Sequence, residues 1–408
     1  MTGRIIVFGA TGYTGEMTAR SLVARGAKPI LAARSAQRLE RLADELGGLE
    51  TRLADVSRPE SVRALVQGRD VMVSTVGPFV RLGAPAIEAA IDAGAVYVDS
   101  SGEPAFIRRV FEEYGPRAQR TGASLLTACG YDWVPGNLAG ALALTEAGEA
   151  ATRVEIGYFG QGEAGSSGGT QASVIGAALE PSFAFRGGRL RTERLGARVR
   201  KFDLGDSRRR LAISVGGSEH LTLPALHPQV QQVDVLLGRP GSNARFMPAV
   251  SAVIAGATRL APARTAFQTL LGHRAKGSTG GPDEAARKRT SSTVVAMARA
   301  ADGRELTRSG SKASIATHLA LPCSPGRRAR RRRETSVHPV HSDQSRRSGY
   351  TSSKRASAPP ESIARSDLHV TDGSSSARRR LNTAADLDLV RLCLWRSSIR
   401  TGSCSLRA

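Results

Sequence analysis

Arg4-Ile-Ile-Val-Phe8, Gly9-Ala-Thr11-Gly12-Tyr13-Thr14-Gly15 and Glu16-Met-Thr-Ala-Arg-Ser-Leu-Val-Ala-Arg25 follow one another without a break. The first piece is a short apolar run, the second a glycine-rich turn, and the third has helical spacing. Strand, turn and helix in that order are the context a dinucleotide-binding fingerprint requires. Gly9 allows the sharp turn off the strand, Gly12 lets the backbone approach a pyrophosphate, and Gly15 lets the helix pack close to the sheet. The N-terminus of the helix then faces the anion. The spacing is Gly-x-x-Gly-x-x-Gly, a variant of Gly-x-Gly-x-x-Gly, and it gains its weight from the flanking strand and helix.

Outward from this unit the alternation continues. Lys28–Ala33 reads as a second strand, followed by a helix capped by Ser35 with Leu39, Leu42 and Leu46 on one face. Thr51–Val56, Asp70–Val76, Ala95–Asp99 and Ala123–Thr127 read as strands three to six, with helices over Ser57–Val66 and Pro85–Ala93. Regular strand–helix alternation predicts an α/β domain over residues 1–130, a doubly wound parallel sheet of Rossmann type.

After Gly130 the pattern changes. Strand-like pieces are expected at Arg153–Phe159, Val199–Leu204, Arg210–Val215, His220–Leu223, Val230–Leu237 and Ser291–Ala300, and helices at Gly168–Leu179 and about Ala244–Leu271. Residues 131–308 are therefore expected to form an α+β substrate domain with a largely antiparallel sheet. Ala301-Asp302-Gly303 is a hairpin turn signal, and the return strand from Arg304 is expected to collapse at Ser309-Gly-Ser-Lys312. Residues 309–408 lack periodicity and are expected to be a disordered basic tail. A basic arm for nucleic acid or anionic lipid and an out-of-frame translation both account for its composition. The hairpin that loses its second strand favours the latter.

Charge follows the same division. The net charge of +22 suggests a nucleic-acid binder until it is located. From Ser311 onward there are 19 Lys+Arg against 7 Asp+Glu, so more than half of the excess lies in the last quarter. Nucleic acid is thus not the expected partner of the folded part. The four cysteines, at 129, 323, 393 and 404, show no Cys-x-x-Cys spacing, and no metal pattern joins His220, His227 and His273. No metal site, signal peptide or membrane span is expected, and the default compartment is the cytoplasm. Peripheral membrane association and a dimer stay open.

The residues ending strand two decide the cofactor. An acid about twenty residues past the fingerprint would hold the ribose 2′-hydroxyl of NAD. Here stand Arg34 and Ser35, which suit a 2′-phosphate, so NADP(H) is expected. Asp55, ending strand three, reads as an adenine contact or equally as a turn residue. Val76, Gly77 and Pro78 end strand four where backbone passes the nicotinamide ribose. Ser101 joins the cofactor set from Tyr97-Val-Asp-Ser-Ser-Gly-Glu103, and Asp99, Glu103, Tyr131 and Asp132 are candidates for orienting substrate or donating a proton. Cys129 reads as a small core residue. Tyr350 and Lys354 have the spacing of the short-chain dehydrogenase pair but lie in the patternless tail, and the match is read as accidental.

Together, Gly9–Gly15, Ala33-Arg34, Val76-Gly-Pro-Phe79, Tyr97–Glu103 and Gly130-Tyr-Asp-Trp-Val-Pro135 resemble the saccharopine dehydrogenase-like oxidoreductases. Gly168-Gly-Thr170 and Gly281-Pro-Asp-Glu-Ala-Ala-Arg287 carry the resemblance to roughly residue 308. Within that family the chain looks most like the actinobacterial branch with trans-acting enoyl reductases. The resemblance implies hydride transfer from NADPH to a carbon–carbon double bond of an acyl or polyketide-type lipid intermediate, free or carrier-bound. An imine reductase of the saccharopine type and a non-catalytic NADP-binding regulator are the alternatives. The chain departs from the family after Arg308.

Overall fold

The computed structural model describes residues 3–130, 132–161, 180–204, 209–238, 246–257, 280–314 and 368–371. Strands β1 (Ile5–Phe8), β2 (Ile30–Ala33), β3 (Thr51–Leu53), β4 (Val71–Ser74), β5 (Val96–Asp99) and β6 (Ser124–Leu126) form the first sheet. Their order is β3-β2-β1-β4-β5-β6 with every pairing parallel, the expected doubly wound arrangement. Alternate residues of β1 serve opposite faces. Val7 packs with Leu22, Leu31, Leu39 and Leu42 beneath helices Tyr13–Ala24 and Ala36–Glu45, while Ile6 and Phe8 pack with Met72, Ile87, Tyr97 and Phe106 on the other side. Each such fully buried side chain contributes roughly 1.5–3 kcal/mol. The chain order reverses between β1 and β4, which places a crevice beyond their carboxyl ends.

Strands β3 and β4 are shorter than the stretches expected from sequence. Thr51–Leu53 stops because Asp55 folds back on Ser57, and the helix expected over Ser57–Val66 spans only Pro59–Arg63. Helical backbone runs from Pro104 to Thr121, with Val110–Tyr114 in π geometry.

The second sheet is mixed. It contains β7 (Arg153–Gln161), β8 (Ser182–Arg186), β9 (Arg189–Glu193), β10 (Val199–Asp203), β11 (Arg209–Ser214), β12 (Gln232–Gly238), β13 (Ser291–Arg299), β14 (Glu305–Ser314) and β15 (Leu368–Thr371). The main path is β10-β11-β12-β7-β13-β14-β15, with β8 on β12 and β9 on β8. Only the β12–β7 pairing is parallel, so the expectation of a largely antiparallel sheet holds. Helix Val134–Ala147 lies against this sheet. Gly140 brings it close, since a Cβ there would sit 2.7 Å from a Leu223 methyl and 3.0 Å from an Ile156 methyl.

Two expectations need correction. His220–Leu223 is not a strand but part of helix Glu219–Leu226, because a four-residue apolar run carries no decisive period. The turn is closed by Thr222 N–H to the Ser218 carbonyl at 2.9 Å. The return strand does not collapse at Ser309: β14 pairs with β13 through Ser314, opposite Ser291. A ladder is made by backbone groups, so Ser309-Gly-Ser-Lys312 can pair without being apolar. Residues 309–314 and 368–371 are thus strand, and the rest of the expected tail lies outside the described residues. So do the expected helix Gly168–Leu179 and most of the one over Ala244–Leu271, of which Met247–Ala257 is helical.

Candidate functional site

The glycine turn is built by backbone proximity. Gly9 has φ +87°, and a Cβ there would collide with the Thr75 and Val76 side chains across the crevice. Gly15 sits against the Gly9 carbonyl, where no side chain has room. Gly12 is less crowded, with the Gly9 carbonyl oxygen 3.3 Å from where its Cβ would be. Gly12 is also the N-cap residue of helix Tyr13–Ala24, and no side chain caps that end. The free N–H groups of the first turn and the helix dipole are left for an anion. This cradle fits the pyrophosphate of a dinucleotide.

Around it stand the groups expected from sequence. Arg34 is exposed at the end of β2, and Ser35 begins helix Ala36–Glu45 without spending its hydroxyl on a cap. Sequence reasoning missed Arg38, whose Nη2 donates to the Thr11 carbonyl at 2.6 Å and braces the turn from the same side. Its signal was its place one turn past Arg34. Asp55 accepts the Ser57 N–H and hydroxyl, both at 2.9 Å, on Oδ1. Those bonds hold its carboxyl below the usual range, and Arg34 lies close enough to add to the effect. The Tyr13 hydroxyl donates to the Pro282 carbonyl at 2.7 Å, and its ring covers Gly281, so the second domain touches the turn through the Gly281–Arg287 motif.

The other lip is the Val76-Gly77-Pro78 loop, which contains a cis Gly77–Pro78 peptide. Thr75 ties it to β1 by donating to the Phe8 carbonyl at 3.1 Å. Glu103 turns out to anchor this loop: its two carboxylate oxygens accept the Phe79 and Val80 N–H groups, each at 2.8 Å. A carboxylate so engaged positions the loop and is poorly placed to donate a proton. Ser101 is fully buried and accepts the Glu103 N–H at 3.2 Å. Asp99 Oδ1 accepts from Ser101 N–H, Ala128 N–H and the Thr127 hydroxyl, locking the ends of β5 and β6 together. Burial pushes the carboxyl up to about 6 against those bonds and the neighbouring Tyr97 hydroxyl.

Asp132 follows β6 at the same edge. Solvent reaches it, it makes no hydrogen bond among the described residues, and its Oδ2 lies 3.2 Å from where a Gly102 Cβ would be. Protein packed around the carboxyl raises it, an effect that its exposure to solvent limits. Tyr131 lies outside the described residues. Behind Asp132 the second domain closes in. Trp133 packs edge-on against Tyr158 at 6.1 Å, and Tyr158 donates to buried Glu219 at 2.5 Å. The Gly216–Gly217 turn lies against Pro104 and Trp133. Sequence reasoning named neither Tyr158 nor Glu219, because nothing local distinguishes them from core and helix residues.

The structure thus brings Gly9, Thr11, Gly12, Tyr13, Thr14, Gly15, Arg34, Ser35, Asp55, Val76, Gly77, Pro78, Ser101 and Asp132 to the carboxyl edge of one sheet. Among the described residues, no cluster of His, Cys, Asp or Glu could hold a metal, and no helix is long and apolar enough to cross a membrane.

Residues 5–126 match the family described as the saccharopine dehydrogenase NADP binding domain. A protein of Mycobacterium tuberculosis (strain ATCC 25618 / H37Rv), grouped by name with the trans-acting enoyl reductases, is 37% identical over 188 residues, 42% of this chain and 43% of that protein. The trans-acting enoyl reductase of Mycobacterium ulcerans (strain Agy99) is 38% identical over 140 residues, 33% of this chain and 34% of its own length. The matched part thus spans less than half of these curated relatives. Apo histidine-tagged saccharopine dehydrogenase (L-Glu forming) from Saccharomyces cerevisiae is similar at 14% identity and TM-score 0.47, covering 76% of this chain and 85% of that one.

Proposed function

We propose that this chain, whose N-terminal domain is a saccharopine dehydrogenase-type NADP-binding domain, is an NADPH-dependent oxidoreductase that reduces a carbon–carbon double bond conjugated to an acyl carbonyl. The observation that carries the reading is one sheet edge holding both an uncapped glycine-cradled helix N-terminus flanked by Arg34 and Arg38 and, further along, the solvent-facing Asp132. The names of the relatives at 37–38% identity support the enoyl substrate class.

NADPH, when bound, supplies a hydride. The chain's own residues do the rest. The glycine turn and helix N-terminus take the pyrophosphate, while Arg34, Ser35 and Arg38 take the 2′-phosphate. Glu103 holds the Val76–Pro78 loop through Phe79 and Val80 N–H groups, which fixes the floor of the nicotinamide end. Hydride arriving at the β-carbon leaves an enolate whose α-carbon needs a proton. Asp132, the carboxyl that faces solvent at this edge beside Gly102, is the group we assign to deliver it.

The test is NADPH oxidation by the full chain with an α,β-unsaturated acyl thioester, read by NADPH absorbance and by the mass of the saturated product. Asp132→Asn is expected to lower kcat roughly 100-fold or more while leaving the NADPH Kd unchanged. No turnover with short, medium or long unsaturated acyl thioesters would overturn the enoyl reading. Full activity in Asp132→Asn would overturn the assignment of the proton donor.

A further inference from the structure

Behind Asp132, buried Tyr158 and Glu219 take no part in the chemistry above, and their protons can be counted. The Tyr158 hydroxyl lies 2.5 Å from Glu219 Oε1 and 3.2 Å from the Trp133 carbonyl oxygen. It has one hydrogen for these two acceptors. If Glu219 is ionised it takes that hydrogen, and the Trp133 carbonyl keeps only its bonds from the Asn137 N–H and Nδ2, each at 3.0 Å. If Glu219 carries a proton, it donates to the Tyr158 oxygen, and Tyr158 is free to donate to Trp133. Only the protonated carboxyl closes the chain from Glu219 through Tyr158 to Trp133, the residue next to Asp132.

The surroundings select that state. Glu219 is fully buried, and its Oε2 has no partner. Gly136 and Gly217 leave the space it fills: a Cβ on either would lie 2.5 Å from one of its oxygens. The groups facing the pair are Tyr158 from β7, the Trp133 ring and carbonyl, the Gly217 turn, and Asp132, whose charge Tyr158 feels. The neighbouring His220 is kept neutral by burial, which lowers it to about 4, and its Nδ1 faces the Gly217 backbone. No lysine or arginine among the described residues compensates a negative Glu219. Burial pushes its carboxyl up to about 8, against the hydrogen bonds from Tyr158 and from its own backbone N–H. An unpaired buried anion is costly enough that such a group keeps its proton.

We infer that Glu219 is a positioning residue for Asp132, acting as a neutral carboxylic acid through the Tyr158 hydroxyl and the Trp133 carbonyl. The inference rests on Asp132 as proton donor for its catalytic consequence, and on the hydrogen-bond chain alone for its structural one. The two parts are therefore tested separately.

The structural test uses the full chain carrying Trp395→Phe, which leaves Trp133 as the only tryptophan. Its fluorescence is titrated from about pH 6 to about pH 10. A transition with a midpoint near 8 is expected, absent in Glu219→Gln and retained in Asp132→Asn. In Tyr158→Phe the Glu219 anion loses its donor, so the midpoint is expected to move upward. No transition in the parent, the same transition in Glu219→Gln, or a midpoint unmoved in Tyr158→Phe would overturn the inference. The catalytic test is the pH profile of kcat with NADPH and the acyl thioester. Ionisation of Asp132 itself gives one alkaline limb in both proteins; a further limb near pH 8 is expected in the parent and absent in Glu219→Gln. The limb near pH 8 retained in Glu219→Gln would overturn the link to Asp132. Absence of turnover in every variant would defeat the enoyl reading and leave the fluorescence result to judge the chain of protons.

Discussion

The two ends of the parallel sheet treat their buried polar groups in opposite ways. At the amino end Asp70 is saturated: it accepts the Arg4 backbone N–H at 2.9 Å, Arg4 Nη2 at 2.6 Å and the Gln67 N–H at 2.9 Å. At the carboxyl side, the Ser74 hydroxyl, the Tyr97 hydroxyl and Asp99 Oδ2 have only one another to face, none in regular hydrogen-bond geometry, and Trp133 Nε1 and Glu219 Oε2 lack a partner just beyond. Of the buried unpartnered side-chain atoms among the described residues, only Arg198 Nε, just before β10, and Ser309 Oγ, on β14, lie elsewhere. Unsatisfied buried polar groups cost about 1–3 kcal/mol each, so their concentration at one edge calls for a reason. The carboxyl edge at a strand-order reversal is where open α/β sheets bind ligands. A protein that spends donors freely at one end and withholds them at the other has a structural end and a working end.

The sharpest way to break this contrast is to block the working end while leaving the structural end intact. Gly12→Val is expected to remove measurable NADPH binding, a loss of more than about 4 kcal/mol if the pyrophosphate contacts go with it. The Tm is expected to fall only modestly: a Cβ at Gly12 would lie 3.3 Å from the Gly9 carbonyl oxygen, a tight contact that a shift of a few tenths of an ångström relieves. Isothermal titration with NADPH and a thermal melt of the same sample check both halves. Retained binding would show that the turn is not the cradle.

The mirror experiment removes the structural carboxylate. Asp70→Ala strips partners from the Arg4 and Gln67 N–H groups and is expected to cost about 2–3 kcal/mol, discounted because the Arg4 side chain is 40% exposed. NADPH affinity should not move. Burial would raise the Asp70 carboxyl, but the Arg4 and Gln67 bonds outweigh it and lower it. Its contribution is therefore present above the unfolded carboxyl pKa of about 4 and lost as pH falls through the lower folded value. A denaturant titration at neutral and acid pH tests this. If Asp70→Ala weakens NADPH binding as much as it lowers stability, the two ends are coupled and the contrast fails.

How much of this was legible follows the same division. The working end was read from Gly9-Ala-Thr-Gly-Tyr-Thr-Gly15 and from Arg34-Ser35 because backbone chemistry there is local: glycine is demanded wherever a carbonyl sits too close for a Cβ. The doubly wound parallel sheet was expected from strand–helix alternation; its order is read from the structure. Helix Val134–Ala147 was missed because small and apolar residues surround it on all sides and give no stripe. The hairpin of Ser182–Arg186 and Arg189–Glu193 was missed as well, although Gly187-Gly188 is a hairpin turn signal. Tyr158 and Glu219 were invisible for a different reason. They lie 61 residues apart, and their meaning comes from burial against Gly136 and Gly217, which no spacing rule encodes. Glu103 was seen as a candidate for orienting substrate or donating a proton, but its bonds to Phe79 and Val80 were not, since they cross 24 and 23 residues.

A smaller effect sharpens the cofactor side. Arg34→Ala is expected to weaken NADPH about tenfold or more, the worth of a charge-assisted contact at roughly 1.5–3 kcal/mol, with NADH affinity unchanged. Competitive binding of both cofactors to parent and variant measures it. Equal affinity of the parent for NADPH and NADH would remove Arg34 and Ser35 from the phosphate site.

The smallest expected effect tests whether the withheld partner at Glu219 has an energetic signature. Its folded pKa, about 8, lies above the unfolded value. Between about pH 4.5 and that value the folded state holds a proton that the unfolded state has released, so stability falls as pH rises through this window. Below the window both states are protonated, and above it both are ionised, so the dependence levels off at each side. Glu219→Gln cannot titrate. The difference in unfolding free energy between variant and parent should therefore grow in favour of the variant by about 1 kcal/mol per pH unit from roughly pH 5.5 to 8, then flatten. Denaturant midpoints of the two proteins across that range measure it. Asp99 and His220 also titrate with shifted values, at about 6 and about 4. They remain in both proteins and cancel in the difference as long as they do not couple to Glu219. A difference that is flat throughout would mean that Glu219 is ionised in the folded protein, and the working end would lose its proton-holding carboxyl.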